Sequence, residues 1–436
     1  MYFYIGMSFQ IISDPDVDRM LSQLSTLVAC DTSFPPGDSY ADMAEIVINL
    51  CRELNATHEF VRIPEPLWAS PGVHGPRINL LTTPAIVQEG LPELLIYFHV
   101  DTAPAGDGWQ RPPFEVTHEN GIVYGRGTAD MKGTIVAVLD ALYRLQQSEV
   151  ELKYQPILAF CTDEEGGKYP GIRYLAETME LPELLLNLNG SAEKRIWAGC
   201  FGSLNYELVC RGKSAHSGTP ELGVNAVEEG MAAIQALMNL KPVIEQRCSQ
   251  MPAAPDASGP LQAHLTITSI SGGDKGAAVP GECRIVFNRR YLPEEDERQV
   301  YNELQAVIEQ ALAGSKLLEW SLQEIGHLPP VRDPDGPGTD RWTAARATAC
   351  NEPIDSFVRY GSTTSSDFGW VQRAGIQHMM LGGLSRPGRN VHGADEHTTE
   401  KDLVELSRAI QYFLAADFQP QTSEAVPLAE PTDYTS

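Results

Sequence analysis

The stretch FCTDEEGG, Phe160 to Gly167, sets two adjacent glutamates, Glu164 and Glu165, at the end of an apolar run. The residues before them, YQPILAF, read as a buried strand and the GG after them as a turn. A solvated charge run needs no apolar strand aimed at it, so the alternative to a plain polar turn is a pair that holds something. Other residues of metal-binding type stand in comparable places. YFHVDTAP offers His99 and Asp101 at i and i+2, on one side of an extended strand. An aspartate there can hold the second imidazole nitrogen and fix its tautomer. YGRGTADMKGT puts Asp130 in a glycine-flanked turn at a helix start, where a plain N-cap is the ordinary role. NVHGADEHTT supplies His392, with Glu396 four residues on. A lone strand-end histidine is more often structural. Together with the glutamate pair, however, these residues make a His, Asp, Glu and His set suited to zinc or another divalent metal.

The elements that must position them follow from periodicity. DVDRMLSQLSTLVAC, YADMAEIVINLCRELNA and GTIVAVLDALYRLQQ have helical spacing, while ELLIYFHVD and KYQPILAFCTDEE read as strands and GIRYLAETM as the next helix. Strand–helix alternation implies an α/β sheet, with ligands beyond the carboxyl ends of the strands. The texture changes near Gly202. SLNYELVCRG, LQAHLTITSI and ECRIVFNRRYL alternate as half-exposed strands, with the helices VNAVEEGMAAIQALMNL and DERQVYNELQAVIEQAL among them. With LLEWSLQEI as the last strand this is the split βαβ order. After Pro329-Pro330 the α/β texture returns. The expected fold class is therefore α/β: an α/β/α catalytic domain built from residues 1–199 and 328–436, interrupted by an inserted α+β, ferredoxin-like domain at 200–327. The polar, proline-bearing end, about 419–436, is expected to be a disordered tail.

At 436 residues the chain is too long for one ordinary core. The excess of 58 Asp+Glu over 32 Lys+Arg gives a net charge of −26, which argues against a nucleic-acid or anionic-membrane surface. No apolar run reaches a membrane span, and MYFYIGMSFQII lacks the basic start and cleavage site of a signal peptide. The cysteines are scattered without a CxxC pair, the usage of a reducing compartment, so a cytoplasmic protein is expected. Flanking carboxylates would raise the pKa of Cys161 and weaken it as a nucleophile, so it reads as a strand residue.

HVDTAP, GRGTADMKG, TDEEGG, GKSAHSG and VHGADE occur in an order and spacing that resemble the zinc-dependent aminoacylase family of metallopeptidases. That family includes acetylornithine deacetylase, succinyl-diaminopimelate desuccinylase, aminoacylase and glutamate-releasing carboxypeptidase. The resemblance covers nearly the whole chain apart from its ends. It implies that His99 binds one metal and His392 the other, with Asp130 bridging and the Asp130–Met131 peptide cis. It implies Glu165 as a ligand, Glu164 as the general base that takes a proton from metal-activated water, and Asp101 as the partner of His99. His216, in GKSAHSG, matches a histidine that reaches the partner subunit's active site and stabilises the oxyanion, so a homodimer or higher oligomer is implied. Arg290, in NRRYLP, matches a clamp for the substrate carboxylate, with Arg289 pointing the opposite way. The implied cofactor is one or two divalent ions per subunit, zinc first, with cobalt or manganese as alternatives.

Two departures stand out. Where the family places a ligand carboxylate in a short turn, this chain reads NLNGSAEK, and the position falls on Asn189, with Asn187 and Glu193 as alternatives. A neutral amide is a poorer ligand, so one metal position should be weakened. In GGDKGAAVPGE the family commonly has asparagine where this chain has Ala277, which bears on substrate choice. The implied reaction is hydrolysis of the amide of a small N-acyl amino acid or similar carboxylate. The alternatives are dipeptide or carboxypeptidase cleavage, or removal of an amine from a less usual small molecule. A non-catalytic binding relative is a further class, against which the retention of Glu164 argues.

Overall fold

The apolar runs Glu93–His99 and Gln155–Cys161 form neighbouring parallel strands because both of their faces are covered. The computed structural model describes residues 13–86, 90–148 and 150–419, so MYFYIGMSFQII and the expected tail from residue 420 onwards lie outside the described residues. Successive side chains of the first strand enter opposite cores: Leu94, Ile96 and Phe98 go to one, Leu95 and Tyr97 to the other. The second strand sends Leu158 and Phe160 one way, Ala159 and Cys161 the other. Helices Val17–Ala29, Tyr40–Leu50, Lys132–Ser148, Thr339–Ala349 and Glu400–Leu414 cover the first face. Gly171–Thr178 and Phe368–Arg373 cover the second. Each large side chain buried in this way contributes about 1.5–3 kcal/mol, so no charge interrupts these strands between their ends.

The full sheet runs Thr57–Arg62, Ile78–Thr83, Gln155–Cys161, Glu93–His99, Leu184–Asn187, His378–Leu381. The first two strands are antiparallel additions and the last four are mutually parallel. The carboxyl ends of the parallel strands therefore lie side by side. His99, the turn after Cys161 and the turn after Asn187 all open on that edge.

The inserted α+β unit pairs four antiparallel strands in the order His264–Gly272, Glu282–Tyr291, Gly202–Arg211, Glu319–Leu328. Helices Ala226–Ile244 and Glu297–Leu312 pack on one face of it, and Asn225 caps the first by accepting from Val227 N and Glu228 N. Strand Glu282–Tyr291 alternates strictly, with Cys283, Ile285, Phe287, Arg289 and Tyr291 on the helix side. That alternation separates the two neighbouring arginines. Arg289 is fully buried against Glu295, and Arg290 faces the other way. The short strand Arg195–Cys200 pairs with Val331–Arg332 and Val358–Ser362 beside the passages into and out of this unit. Among the described residues no helix is long and apolar enough to cross a membrane, and all eight cysteines are free thiols.

Candidate metal centre

Three loop segments and one strand end bring His99, Asp130, Glu165 and His392 together. His99 ends its strand fully buried, and its Nε2 meets Asp130 Oδ1 at 3.0 Å. The other oxygen of Asp130 meets His392 Nε2 at 3.3 Å, so the two carboxylate oxygens face different imidazoles. His392 Nε2 also lies 2.9 Å from Glu165 Oε2. Ligand atoms of His99, Asp130 and Glu165 all fall within 4.8 Å of one another. Donors about 2.1 Å from a shared tetrahedral zinc stand roughly 3.4 Å apart, so these spacings suit atoms that share a cation. The Asp130–Met131 peptide is cis.

The adjacent glutamates diverge. Glu165 Oε1 accepts from Ala103 N at 3.1 Å and its other oxygen faces His392. Glu164 Oε1 instead accepts from Asn189 Nδ2 at 2.7 Å. Asp163, just before them, has φ +63° and is fixed by the buried guanidinium of Arg77 at 2.8 Å and by Tyr40 Oη at 3.0 Å. Those buried donors hold an aspartate in the left-handed region, where the chain turns sharply enough to aim consecutive side chains apart.

Electrostatics agree with this geometry. Burial disfavours the His99 imidazolium, but its Asp130 hydrogen bond and the carboxylates of Glu164, Asp130 and Asp101 raise its pKa well above the usual histidine range. Burial also opposes ionisation of Asp130, yet the contacts from His392 and His99 hold it well below the ordinary carboxylate range. Asp130 and Glu165 raise His392 to about 10. Burial pushes Asp101 up to about 7. Glu164 rises well above its usual range through burial, opposed by His99 and reinforced by Asp367, Glu165 and Asp130. The carboxylates that raise both imidazoles make this an anionic donor set, and a divalent cation among the same imidazole and carboxylate donors meets that charge demand. The residues fit a zinc-type ion.

The other expected site residues fall as follows. The close partner of His99 Nδ1 is the backbone carbonyl of Asp101, at 2.9 Å, and the Asp101 carboxylate is 3.7 Å away. Past the strand end the peptide carbonyl is the nearer group to the ring, the Asp101 carboxylate stands within ion-pair distance of it, and Asp101 Oδ2 accepts from Glu165 N at 2.8 Å. Asn189 lies beside Glu164, whereas Asn187 Oδ1 accepts from Asn189 N and Glu193 contacts Ser191. His216 is exposed on the inserted unit, its Nδ1 accepting from Gly218 N at 3.0 Å, and among the described residues it makes no contact with the cluster. Ala277 lies beside it, its carbonyl accepting from Ser217 N. Arg290 Nη1 donates to Ser365 Oγ at 2.6 Å and has no carboxylate within ion-pair distance among the described residues.

Sequence reasoning passed over one buried carboxylate, Asp367, and named another, Glu396, without giving it a role. Asp367 accepts from Tyr97 Oη at 3.0 Å, its other oxygen has no hydrogen-bond partner among the described residues, and burial raises it to about 6. It follows a hydroxyl-rich run and precedes a helix, so locally it looks like an ordinary cap. Glu396 is fully buried. It accepts from Ala129 N and Asp130 N and pairs with Arg126.

A layered α/β/α sheet with a metal-type cluster at its carboxyl edge, interrupted by an α+β unit, defines a metallohydrolase architecture. Residues 95–416 match the model of Peptidase family M20/M25/M40, and the chain belongs to that family. It is accordingly a metal-dependent hydrolase of C–N bonds. Succinyl-diaminopimelate desuccinylase of Alkalilimnicola ehrlichii is 28% identical over 320 residues, 71% of this chain and 80% of that one. Acetylornithine deacetylase of Klebsiella pneumoniae is 32% identical over 239 residues, 54% of this chain and 58% of that one. Among solved structures, an M20 family metallo-carboxypeptidase from Sulfolobus solfataricus shares the fold with a TM-score of 0.72 at 19% identity, covering 91% of this chain and 98% of its own.

Proposed function

We propose that this chain removes the acyl group from a small N-acyl amino acid, with Glu164 as general base. The observation that carries this reading is the divergence of Glu164 and Glu165 beside two imidazoles that share Asp130. His99, Asp130, Glu165 and His392 would hold one or two divalent ions, zinc first, with Asp130 facing both positions. Lewis-acid polarisation of a carbonyl and acidification of water are the chemistry a divalent ion supplies in such a donor set. Glu164 takes the proton of the attacking water as the C–O bond forms, and delivers it to the nitrogen as the C–N bond breaks. Asn189 holds Oε1 of that carboxylate in place. Arg290 is a guanidinium without an acidic partner among the described residues, which suits a substrate carboxylate. The test is a metal-supplemented screen of N-succinyl and N-acetyl amino acids and of dipeptides, read as release of free amine. Arg290→Met is expected to raise KM for the best substrate at least tenfold with a smaller effect on kcat. An unchanged KM removes Arg290 from the clamp role, and no amine released from any N-acyl amino acid removes the deacylase reading.

The inserted unit, residues 200–327, is proposed to pair with a second copy and to lend it His216 as an oxyanion donor. His216 is exposed and apart from its own cluster. Strand His264–Gly272 is an edge of its sheet and exposes Ile270, and the helix Ala226–Ile244 exposes Met231 and Met238. Free thiols throughout suit a cytoplasmic location. His216→Ala and Glu164→Gln proteins should each be nearly inactive. Mixed dimers then contain one doubly defective site and one intact site, so activity should partly return on mixing. Proven subunit exchange without any return of activity rules out a shared site.

A further inference from the structure

We infer that Glu396 is the positioning residue that sets the bridging carboxylate, an inference that rests on the metal-site reading above. Glu396 is fully buried and touches neither histidine of the cluster. Its Oε1 accepts from two consecutive backbone donors, Ala129 N at 3.0 Å and Asp130 N at 3.1 Å. Its Oε2 takes Arg126 Nη1 at 2.6 Å, and its own carbonyl accepts from Gly125 N at 3.0 Å. Both the side chain and the main chain of Glu396 therefore grip the turn that carries Asp130. Four residues earlier on the same loop stands His392, with φ +63° and a half-exposed side chain. Glu396 thus fixes the distance between the loop that supplies one imidazole and the turn that supplies the shared carboxylate. Arg126 extends the grip. It also donates to Pro104 O at 3.0 Å, in the segment whose Ala103 N–H holds Glu165. One buried ion pair consequently ties together the turn of Asp130, the loop of His392 and the segment whose amide holds the Glu165 carboxylate. Two N–H groups converging on one charged oxygen at the bridging residue itself do more than neutralise an arginine. They orient the peptide from which both Asp130 oxygens are aimed.

The test uses the full chain with cobalt(II) as the probe, reading dissociation constants and the visible d–d absorption. Glu396→Asp keeps the charge opposite Arg126 but falls short of the two amides by about one C–C bond, ~1.5 Å. It is expected to weaken cobalt binding at least tenfold and to change the d–d spectrum. Glu396→Gln can serve the amides or Arg126 but not both, and is expected to move the same readouts by less. A side chain that merely supports the fold would lower the melting temperature of the variant without altering the spectrum of the metal it binds. Wild-type cobalt affinity and spectrum in whichever variant folds overturns the inference. The metal-site reading fails separately, and only if the unmodified protein takes up no cobalt.

Discussion

Glu164→Gln is expected to fold, to keep its metal and to lose turnover by about 10²–10⁴-fold. The amide is nearly isosteric with the carboxylate, and its Oε1 can still accept from Asn189 Nδ2 where Glu164 does now. Metal retention follows because the oxygen that meets His392 belongs to Glu165. What is lost is a group able to take a proton from water and hand it to the leaving nitrogen. KM should change little, since Glu164 is not the group expected to hold the substrate carboxylate. The same substitution one residue along should fail differently. Glu165→Gln removes a charge from the donor cluster and should release metal on dialysis before any defect in proton transfer is visible. Metal analysis beside kcat separates the two variants. Near-normal turnover in Glu164→Gln removes Glu164 from the base role, and metal loss from it assigns that glutamate to the ligands.

The sheet and the cluster were legible for a common reason. A parallel strand buried on both faces is an uninterrupted apolar run, so the first polar residues after it mark the edge where a site can form. ELLIYFH and QPILAFC announce themselves in this way, and His99, Glu164 and Glu165 follow from where those runs stop. The alternation of ECRIVFNRRY likewise placed Arg289 and Arg290 on opposite faces. Strand Thr57–Arg62 was not legible, because it lies at the sheet edge with half-exposed polar residues and no clear period. The supporting frame was not legible either. Tyr97 finds Asp367 at a separation of 270 residues, Ala129 finds Glu396 at 267, and Arg77 finds Asp163 at 86. Such partners are chosen by tertiary packing, and no local pattern encodes them. Asp101 shows a finer limit. The i, i+2 spacing put it on the side of His99, but could not tell its carbonyl from its carboxylate as the atom that meets Nδ1.

Asn189 is expected to leave the two metal positions unequal, with one ion tightly held and the other labile. The resemblance to the family places a carboxylate where this chain has an amide, and that amide spends its nitrogen on Glu164 at 2.7 Å. The position of Glu165 and His392 keeps two anionic carboxylates, its own and a share of Asp130. The position of His99 keeps its imidazole and the other Asp130 oxygen, and the one further carboxylate of the cluster, Glu165, is already turned to His392. Two divalent ions bridged by one aspartate repel each other strongly, and each formal negative charge withdrawn from the donors favours the loss of one. Asn189→Asp restores the charge at the poorer position. It should raise the affinity of the weaker ion at least about tenfold, or about 1.4 kcal/mol. Without metal the same substitution sets a carboxylate against Glu164, so the metal-free variant should melt lower than the unmodified protein and gain more on zinc addition. Metal analysis after dialysis, with melting curves across a zinc titration, decides the matter. Two full equivalents retained by the unmodified protein, with no gain in the variant, would show that the amide at 189 leaves both positions intact.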